Sequence, residues 1–426
     1  MSRCLGCSAT VEQVLSFGKM PIANGFLRED QFADEFFHNL GISFCPECSL
    51  VQLAEPLDPA MQYHENYAYF ASTSARAVEH FSQAASQISA LISDQPDPFV
   101  VEIGSNDGIM LRNFAKDGVR HLGVEPSENV AKEAIRNGIS TKCDFFGQAT
   151  ATEILQEHGA ADAIFGANVI THIPDIHSLL ASVHLLLKDE GVFIIEDPYL
   201  GDIIEKTAYD QFYDEHVFYF CLTSLQSLLD QHGMTIVDAE PQLVHGGSMR
   251  YFAVKKARPS SSRLAKLQAR EDTLGLGQAS TFRALSDKII ASKTELVDLL
   301  SGLKRDGKRV VGYGATAKST IVTNFCGVGP ELLEFISDTT PTKQGKFSPG
   351  AHIPVQPYEE FQRDYPQYAV LFAWNHGEEI LAKEQDFLRR GGRFITFVPE
   401  VAILDYPGSS VSGQAKPAVA RSISKP

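Results

Sequence analysis

Short β-rich runs alternate with helix-prone stretches over two long spans of this chain, and no other feature limits its fold as much. In the first span FVVEIG, HLGVE, DAIFGANV, GVFIIED and MRYFAVKK are separated by segments such as SENVAKEAIRNG and IHSLLASVHLLLKDEG. The second span reads KRVVGYGATAKST, LLEFISD, YAVLFAW, a helix around Glu378 to Arg390, and GRFITFVPE. Strands alternating with helices of this length predict βαβ units, hence parallel sheets covered by helices. The fold class is α/β, with two doubly wound domains of which the second is smaller.

The 426 residues, 44% of them apolar, suffice for more than one core. Residues 1–73 hold four of the seven cysteines and no long helical period. Residues 74–257 form the first β/α domain, opened by a helix over Ala75–Ile92 with Val78, Phe81, Ile88, Leu91 and Ile92 near a 3.6-residue spacing. A helix-prone connector over 258–304 leads to the second β/α domain at 305–407, and the low-complexity tail at 408–426 is expected to be disordered. A net charge of -16 argues against coating nucleic acid through phosphate contacts. MSRCLGCSATVEQ carries no apolar signal core, and no apolar run reaches the roughly 20 residues that span a bilayer. A cytoplasmic monomer with no membrane or nucleic-acid partner is expected, its cysteines reduced or metal-bound.

Cys4 and Cys7, then Cys45 and Cys48 after a 37-residue gap, form two CxxC pairs able to present four thiolates tetrahedrally to zinc. The blander reading is four small apolar cysteines. A redox pair fits worse, because neither CxxC follows a strand and opens a helix. Four thiolates close the coordination sphere, so the expected Zn2+ is structural.

VVEIGSNDG runs from a strand into a glycine turn. Gly104 lets the backbone approach a ligand, and Asn106 and Asp107 tolerate unusual turn dihedrals. GxGxxG is absent, and Glu102 and Asp107 would repel a pyrophosphate. Glu125, followed by Pro126, ends the second strand, where an acid can bind ribose hydroxyls. Asp144 and Phe145 follow the third strand, suited to an adenine amino group and an adenine face, and Asn168 ends the fourth run. Acids at the ends of three successive strands fit a ligand with ribose and adenine but no phosphates, which points to S-adenosyl-L-methionine rather than NAD. Each of these residues alone could be an ordinary turn or surface residue.

Open α/β sheets bind ligands beyond the carboxyl ends of their strands. His172 follows the fourth strand there, and a loop after the fifth carries Tyr209, Tyr213, Asp214, Glu215 and His216. A sulfonium methyl needs only an aligned nucleophile. A carbon nucleophile also needs a base near neutral pKa and a partner for the developing enolate oxygen. Methylation of oxygen or nitrogen could use the same groups, and either histidine could instead be a hydrogen-bonded core residue.

With these pieces in order, the chain resembles the sugar 3-C-methyltransferases of deoxysugar pathways over nearly its full length. The resemblance rests on the cysteine pairs, EIGSNDG, the stretch Asn168–Ile173, YDEH with its following aromatics, HGGSMR at His245–Arg250, GYGATAKS at Gly312–Ser319, and KQGKFSPGAHIP at Lys343–Pro354. It implies a class I methyltransferase Rossmann-like domain between an N-terminal zinc-binding module and a C-terminal Rossmann-like domain. His216 would be the base that removes the sugar C3 proton, with Tyr213, Glu215 and His172 beside it. A tyrosine of ENYAYF (Tyr67 or Tyr69), Arg250, Lys343 and His352 would contact a nucleotide-linked keto-deoxysugar, dTDP-linked by expectation. The C-terminal domain would grip the diphosphate, and there the residues agree independently: Gly312, Gly314 and Lys318 form a strand–turn–helix suited to a pyrophosphate. An O- or N-methyltransferase and a zinc-bearing sensor of nucleotide sugars are the rival readings; an NAD-dependent enzyme fits poorly.

Overall fold

The computed structural model describes residues 2–58, 70–256 and 258–404. Tyr67, Tyr69 and the tail at 408–426 lie outside the described residues. Near the N-terminus, β1 (Glu12–Pro21), β2 (Phe37–Phe44) and β3 (Val51–Leu53) form an antiparallel sheet. Two register shifts interrupt the β1–β2 pairing, after Gln13 and after Ser16. They break the simple in–out alternation of side chains that marks a strand in sequence.

Helix α1 (Ala75–Leu91) is capped by Ser74, whose hydroxyl accepts from the Ala77 amide. It buries Ala84, Ala85 and Ile88 against Val100, Met110, Ile194 and Phe252. Its sheet is built in chain order from β4 (Phe99–Ile103), α2 (Leu111–Lys116), β5 (Arg120–Val124), α3 (Glu128–Arg136), β6 (Thr141–Lys142), α4 (Gln148–His158), β7 (Ala161–Ala167), α5 (Ile176–Leu186) and β8 (Leu187–Pro198). Then come α6 (Leu200–Lys206), β9 (Phe218–Tyr219), α7 (Leu222–Asp230), β10 (Thr235–Gln242) and β11 (Ser248–Val254). The strand order is β6-β5-β4-β7-β8-β11-β10, parallel except for β11. This is the class I methyltransferase topology. β9 stands apart: it pairs with β3 as the fourth strand of the N-terminal sheet.

The connector is two helices, α8 (Ser262–Leu274) and α9 (Ala279–Arg305). Glu271 of α8 is buried and accepts from Tyr199 Oη and from the Leu222 and Thr223 amides at the start of α7. α9 buries Phe282, Leu285, Ile289, Leu296, Leu300 and Leu303, an i, i+3/i+4 stripe. Phe282 packs on Phe44 of β2. Each such residue removed from water stabilises the assembly by about 1.5–3 kcal/mol. One continuous apolar core therefore joins the N-terminal sheet, the connector and the last domain.

That domain contains β12 (Val310–Tyr313), α10 (Ala317–Cys326), β13 (Ile336–Asp338), β14 (Val355–Pro357), α11 (Tyr358–Arg363), β15 (Tyr368–Leu371), α12 (Gly377–Lys383), α13 (Gln385–Arg389), β16 (Arg393–Thr396) and β17 (Ala402–Leu404). Its order is β14-β13-β12-β15-β16-β17, parallel except for β17. Among the described residues, no helix is long and apolar enough to cross a membrane.

Candidate active site and metal centre

The two cysteine pairs fold as matching knuckles. The Ser8 amide bonds the Cys4 carbonyl and the Ser49 amide bonds the Cys45 carbonyl, each at 2.9 Å. Ser8 and Ser49 both take positive φ, 62° and 60°. The pairs close on one point: Cys4 and Cys48 sulfurs are 3.5 Å apart, as are those of Cys7 and Cys45, and all four lie within 4.8 Å of one another. A tetrahedral zinc with Zn–S near 2.3 Å needs sulfurs about 3.8 Å apart, so the thiols fit the ion.

Beyond the carboxyl ends of β4, β5 and β6, the expected cofactor residues form one rim. Gly104 has φ +66°, and a Cβ there would lie 2.7 Å from Val169, so only glycine fits. Glu125 accepts from the Asn106 amide at 2.9 Å and the Ser127 amide at 2.8 Å across Pro126, which fastens the glycine turn to β5. Asp107 accepts from the amide and hydroxyl of Ser72, and Asn106 accepts from the Ala71 amide, so the segment before α1 lies against the turn. Glu102 is fully buried; burial, then the charges of Glu125 and Asp107, push its carboxyl well above the usual range. One oxygen each of Glu102 and Asp107 has no hydrogen-bond partner among the described residues. Orphaned buried carboxyl oxygens suit a ligand rich in donors and positive charge. Asp144 is exposed and accepts from the Phe145 amide and Thr150 hydroxyl, and the Phe145 ring is 54% exposed, open to stacking. Asn168 has φ +52° and bonds the Glu196 carbonyl.

The loop between α6 and β9 carries His216, and all three domains hold it. Tyr209 is buried against Phe325 and Phe397 of the last domain. Asp210 accepts from Trp374 Nε1 at 2.6 Å. From the N-terminal module, the Ala23 amide donates to Asp214 at 3.0 Å and Asn24 Nδ2 to Glu215 at 2.6 Å, while Phe17 meets Phe212. Thr320 of α10 closes the circuit by donating to the Ala23 carbonyl. Within the loop, Tyr213 Oη and His216 Nε2 are 2.7 Å apart, and the His172 ring lies 5.1 Å from that of His216. Burial, reinforced by His172, Lys318 and His245, pushes the His216 pKa well below 6.5. Burial and His245 depress His172 to about 3. Both rings are therefore neutral at physiological pH. Glu215 is raised to about 7 by burial and Asp214, against Asn24 and Lys343.

Two lysines of the last domain face this loop. Lys318 stands in the first turn of α10, its ammonium 4.8 Å over the Trp374 ring; burial lowers its pKa and Asp210 opposes the shift. Lys343 donates to the Ala315 carbonyl, lies over Phe26, and is likewise depressed by burial against Asp338 and Glu215. Gly314, at φ +94°, carries the turn from β12 into α10. Half-buried cations with so few counter-charges favour an anionic ligand.

Two residues expected at the substrate sit elsewhere in the contact pattern. Arg250 is buried in an ion pair with Glu196 and donates to Gln87, and Glu196 also holds His80. His352 bonds Glu35 at 2.7 Å and stacks on Phe32, tying the last domain to the N-terminal module. Asn24, Asp210, His245 and Trp374 join the site without having been expected there. A histidine before a Gly-Gly pair was a usable signal for His245; the others carry no local one.

Three family profiles match the chain: a zinc binding domain over residues 4–63, a methyltransferase domain over 74–239, and a C-methyltransferase C-terminal domain over 243–399. The C-methyltransferase NovU of Streptomyces niveus is 35% identical over 394 residues, 92% of this chain and 94% of that protein. A ubiquinone biosynthesis O-methyltransferase of Actinobacillus pleuropneumoniae is 30% identical over 102 residues, 22% of this chain and 42% of that protein. A solved magnesium protoporphyrin IX methyltransferase of Synechocystis PCC 6803 with bound SAM is 15% identical with a TM-score of 0.32, covering 42% of this chain and 82% of that one.

Proposed function

Since this chain belongs to the S-adenosylmethionine-dependent C-methyltransferases that carry a zinc-binding N-terminal domain, we propose that it methylates C3 of a nucleoside-diphosphate 4-keto-6-deoxysugar, dTDP-linked, with His216 as the base. The observation that carries this reading is a neutral, buried histidine with two half-buried lysines of another domain beside its loop. A base and a pair of cations from different domains suit a substrate with an acidic C–H at one end and a diphosphate at the other.

S-adenosylmethionine, when bound, supplies a methyl group already activated by its sulfonium. The residues of this chain do the remaining work. The 4-keto group of the sugar acidifies the C3 proton, and His216 Nε2 accepts it once the substrate displaces the Tyr213 hydroxyl from that nitrogen. Tyr213 then donates to the enolate oxygen, with His172 beside it. Glu215, held by Asn24, fixes the far side of the sugar. Lys318, Lys343 and the Gly314 turn take the diphosphate. Fixing the sugar between two domains supplies orientation, which lowers the barrier without further chemistry. Incubation with labelled S-adenosylmethionine and a panel of keto-deoxysugar nucleotides, followed by NMR location of the methyl group, tests the reading. Label on oxygen or nitrogen would overturn it in favour of the O- or N-methyltransferase alternative.

Two expected results separate the two ligands. Glu125→Ala should weaken S-adenosylmethionine binding by about 1–3 kcal/mol, the cost of unpaired ribose hydroxyls and of backbone amides left without an acceptor. Sugar-nucleotide affinity should not follow; calorimetry with each ligand checks this. Lys318→Ala should raise KM for the sugar nucleotide and leave cofactor affinity intact, because a lysine at a helix N-terminus holds phosphate charge. An unchanged KM in steady-state kinetics would move the diphosphate to Lys343 and Lys346.

A further inference from the structure

The turn between β10 and β11, Leu243-Val244-His245-Gly246-Gly247, is built around a residue that does not suit it. His245 lies in the left-handed region, at φ 54° and ψ 18°, which residues with a β-carbon avoid. Its surroundings leave the turn no alternative. Gln211 Nε2 donates to the His245 carbonyl at 2.9 Å, and Lys206 donates to the Gly246 carbonyl. A Cβ on Gly246 would lie 2.4 Å from the Trp374 ring, and one on Gly247 only 1.8 Å from the Asp202 carboxylate. Strain held in place this firmly gathers at functional sites.

The histidine so held is exposed, and no described residue hydrogen-bonds its ring. The charge that bears on it most strongly is Lys318, followed by Glu196, His376 and His80; it acts in turn on His172 and His216. The next residue, Gly246, abuts the Trp374 ring over which the Lys318 ammonium lies at 4.8 Å, so His245 neighbours that lysine, where a sugar joins its diphosphate if the nucleotide-sugar reading is right.

We propose that His245 is a substrate-contacting residue, whose imidazole N–H hydrogen-bonds the phosphate next to the sugar while Lys318 grips the same diphosphate from the facing domain. One anion then bridges the β10–β11 turn and α10. Partial withdrawal from bulk water, then the charge of Lys318, lowers the ring's pKa, so it is a neutral donor at physiological pH.

The test rests on two substitutions that the left-handed backbone tolerates, His245→Asn and His245→Gly. Trp374 is the only tryptophan in the chain and touches the turn, so an unchanged emission spectrum certifies that the turn is intact. Dissociation constants are measured by calorimetry for dTDP-glucose, GDP-mannose, CDP-glucose and S-adenosylmethionine. For whichever nucleotide sugar binds wild type best, both variants should bind about ten- to a hundredfold more weakly, as loss of a hydrogen bond to a charged group requires, with cofactor affinity unchanged. Wild-type affinity in both variants would overturn the proposal. So would an equal loss of cofactor binding with altered Trp374 emission, which marks a purely structural turn. If no nucleotide sugar binds wild type, the nucleotide-sugar reading itself falls, and this proposal with it.

Discussion

His216→Asn is expected to lower turnover by about 10²–10⁴-fold, the usual contribution of a general base, while both ligands still bind. Asparagine keeps a similar volume and some hydrogen bonding but has no basic nitrogen for the C3 proton. Exchange of that proton with solvent deuterium, followed by NMR, should fall in parallel with methyl transfer. Tyr213→Phe and His172→Asn should give smaller losses, since each leaves the base in place. Because burial keeps the His216 ring neutral well below its ordinary pKa, the acid limb of kcat/KM should lie below pH 6.5. The sign for stability follows: an unfolded chain takes up a proton near pH 6.5 that the native site refuses, so stability drops as pH falls through that value. Near-normal exchange and turnover in His216→Asn would move the base to His172 or a pocket tyrosine. If wild type shows no exchange, a substrate deuterium isotope effect on methylation becomes the deciding measurement.

Cys45→Ser should abolish both zinc retention and activity. Wild type should carry about one zinc per chain by elemental analysis, as a closed four-thiolate site requires. Structural zinc contributes about 10–16 kcal/mol in small zinc-finger peptides, as much as the whole stability of an ordinary domain. Without it the two knuckles keep only the Gln52 hydrogen bonds to Arg3 and Leu5 and their shared apolar packing. The damage should reach the active site through three contacts: Ala23 with Asp214, Asn24 with Glu215, and Phe17 with Phe212. S-adenosylmethionine binding should survive, because Glu102, Glu125 and Asp144 hang on the seven-stranded sheet. A metal-free chain that melts at the wild-type temperature and turns over normally would refute a structural zinc.

The sequence displayed best what periodicity and spacing encode. The long β/α alternation, the helix from Ala75 and the two CxxC pairs are local signals, and the strands, α1 and the sulfur cluster stand where those signals lie. β1 went unread because its two register shifts interrupt the strand's alternation, and β6, two residues long, was placed only through the Asp144 and Phe145 that follow it. The site was legible only where chemistry clusters along the chain, as in Tyr213–His216. Contacts such as Asp210 with Trp374, Asn24 with Glu215 and Glu35 with His352 join residues 164, 191 and 317 positions apart. Tertiary packing alone makes these pairs, so no window along the chain contains them. Arg250 shows the converse: a charged residue in a recognisable motif, but buried against Glu196.

The fourth strand of the N-terminal sheet is Phe218–Tyr219, two residues beyond His216. On a ribosome, Cys48 emerges long before that strand exists. At about 5–20 residues per second, synthesis from Leu53 to Tyr219 takes roughly 10–30 s. During that interval the knuckles can take up metal, but the edge of β3 stays open. The module can close only when the segment that carries His216 is in place. Metal uptake should therefore precede assembly of the site, and an expression host short of zinc should yield chains arrested before the second step.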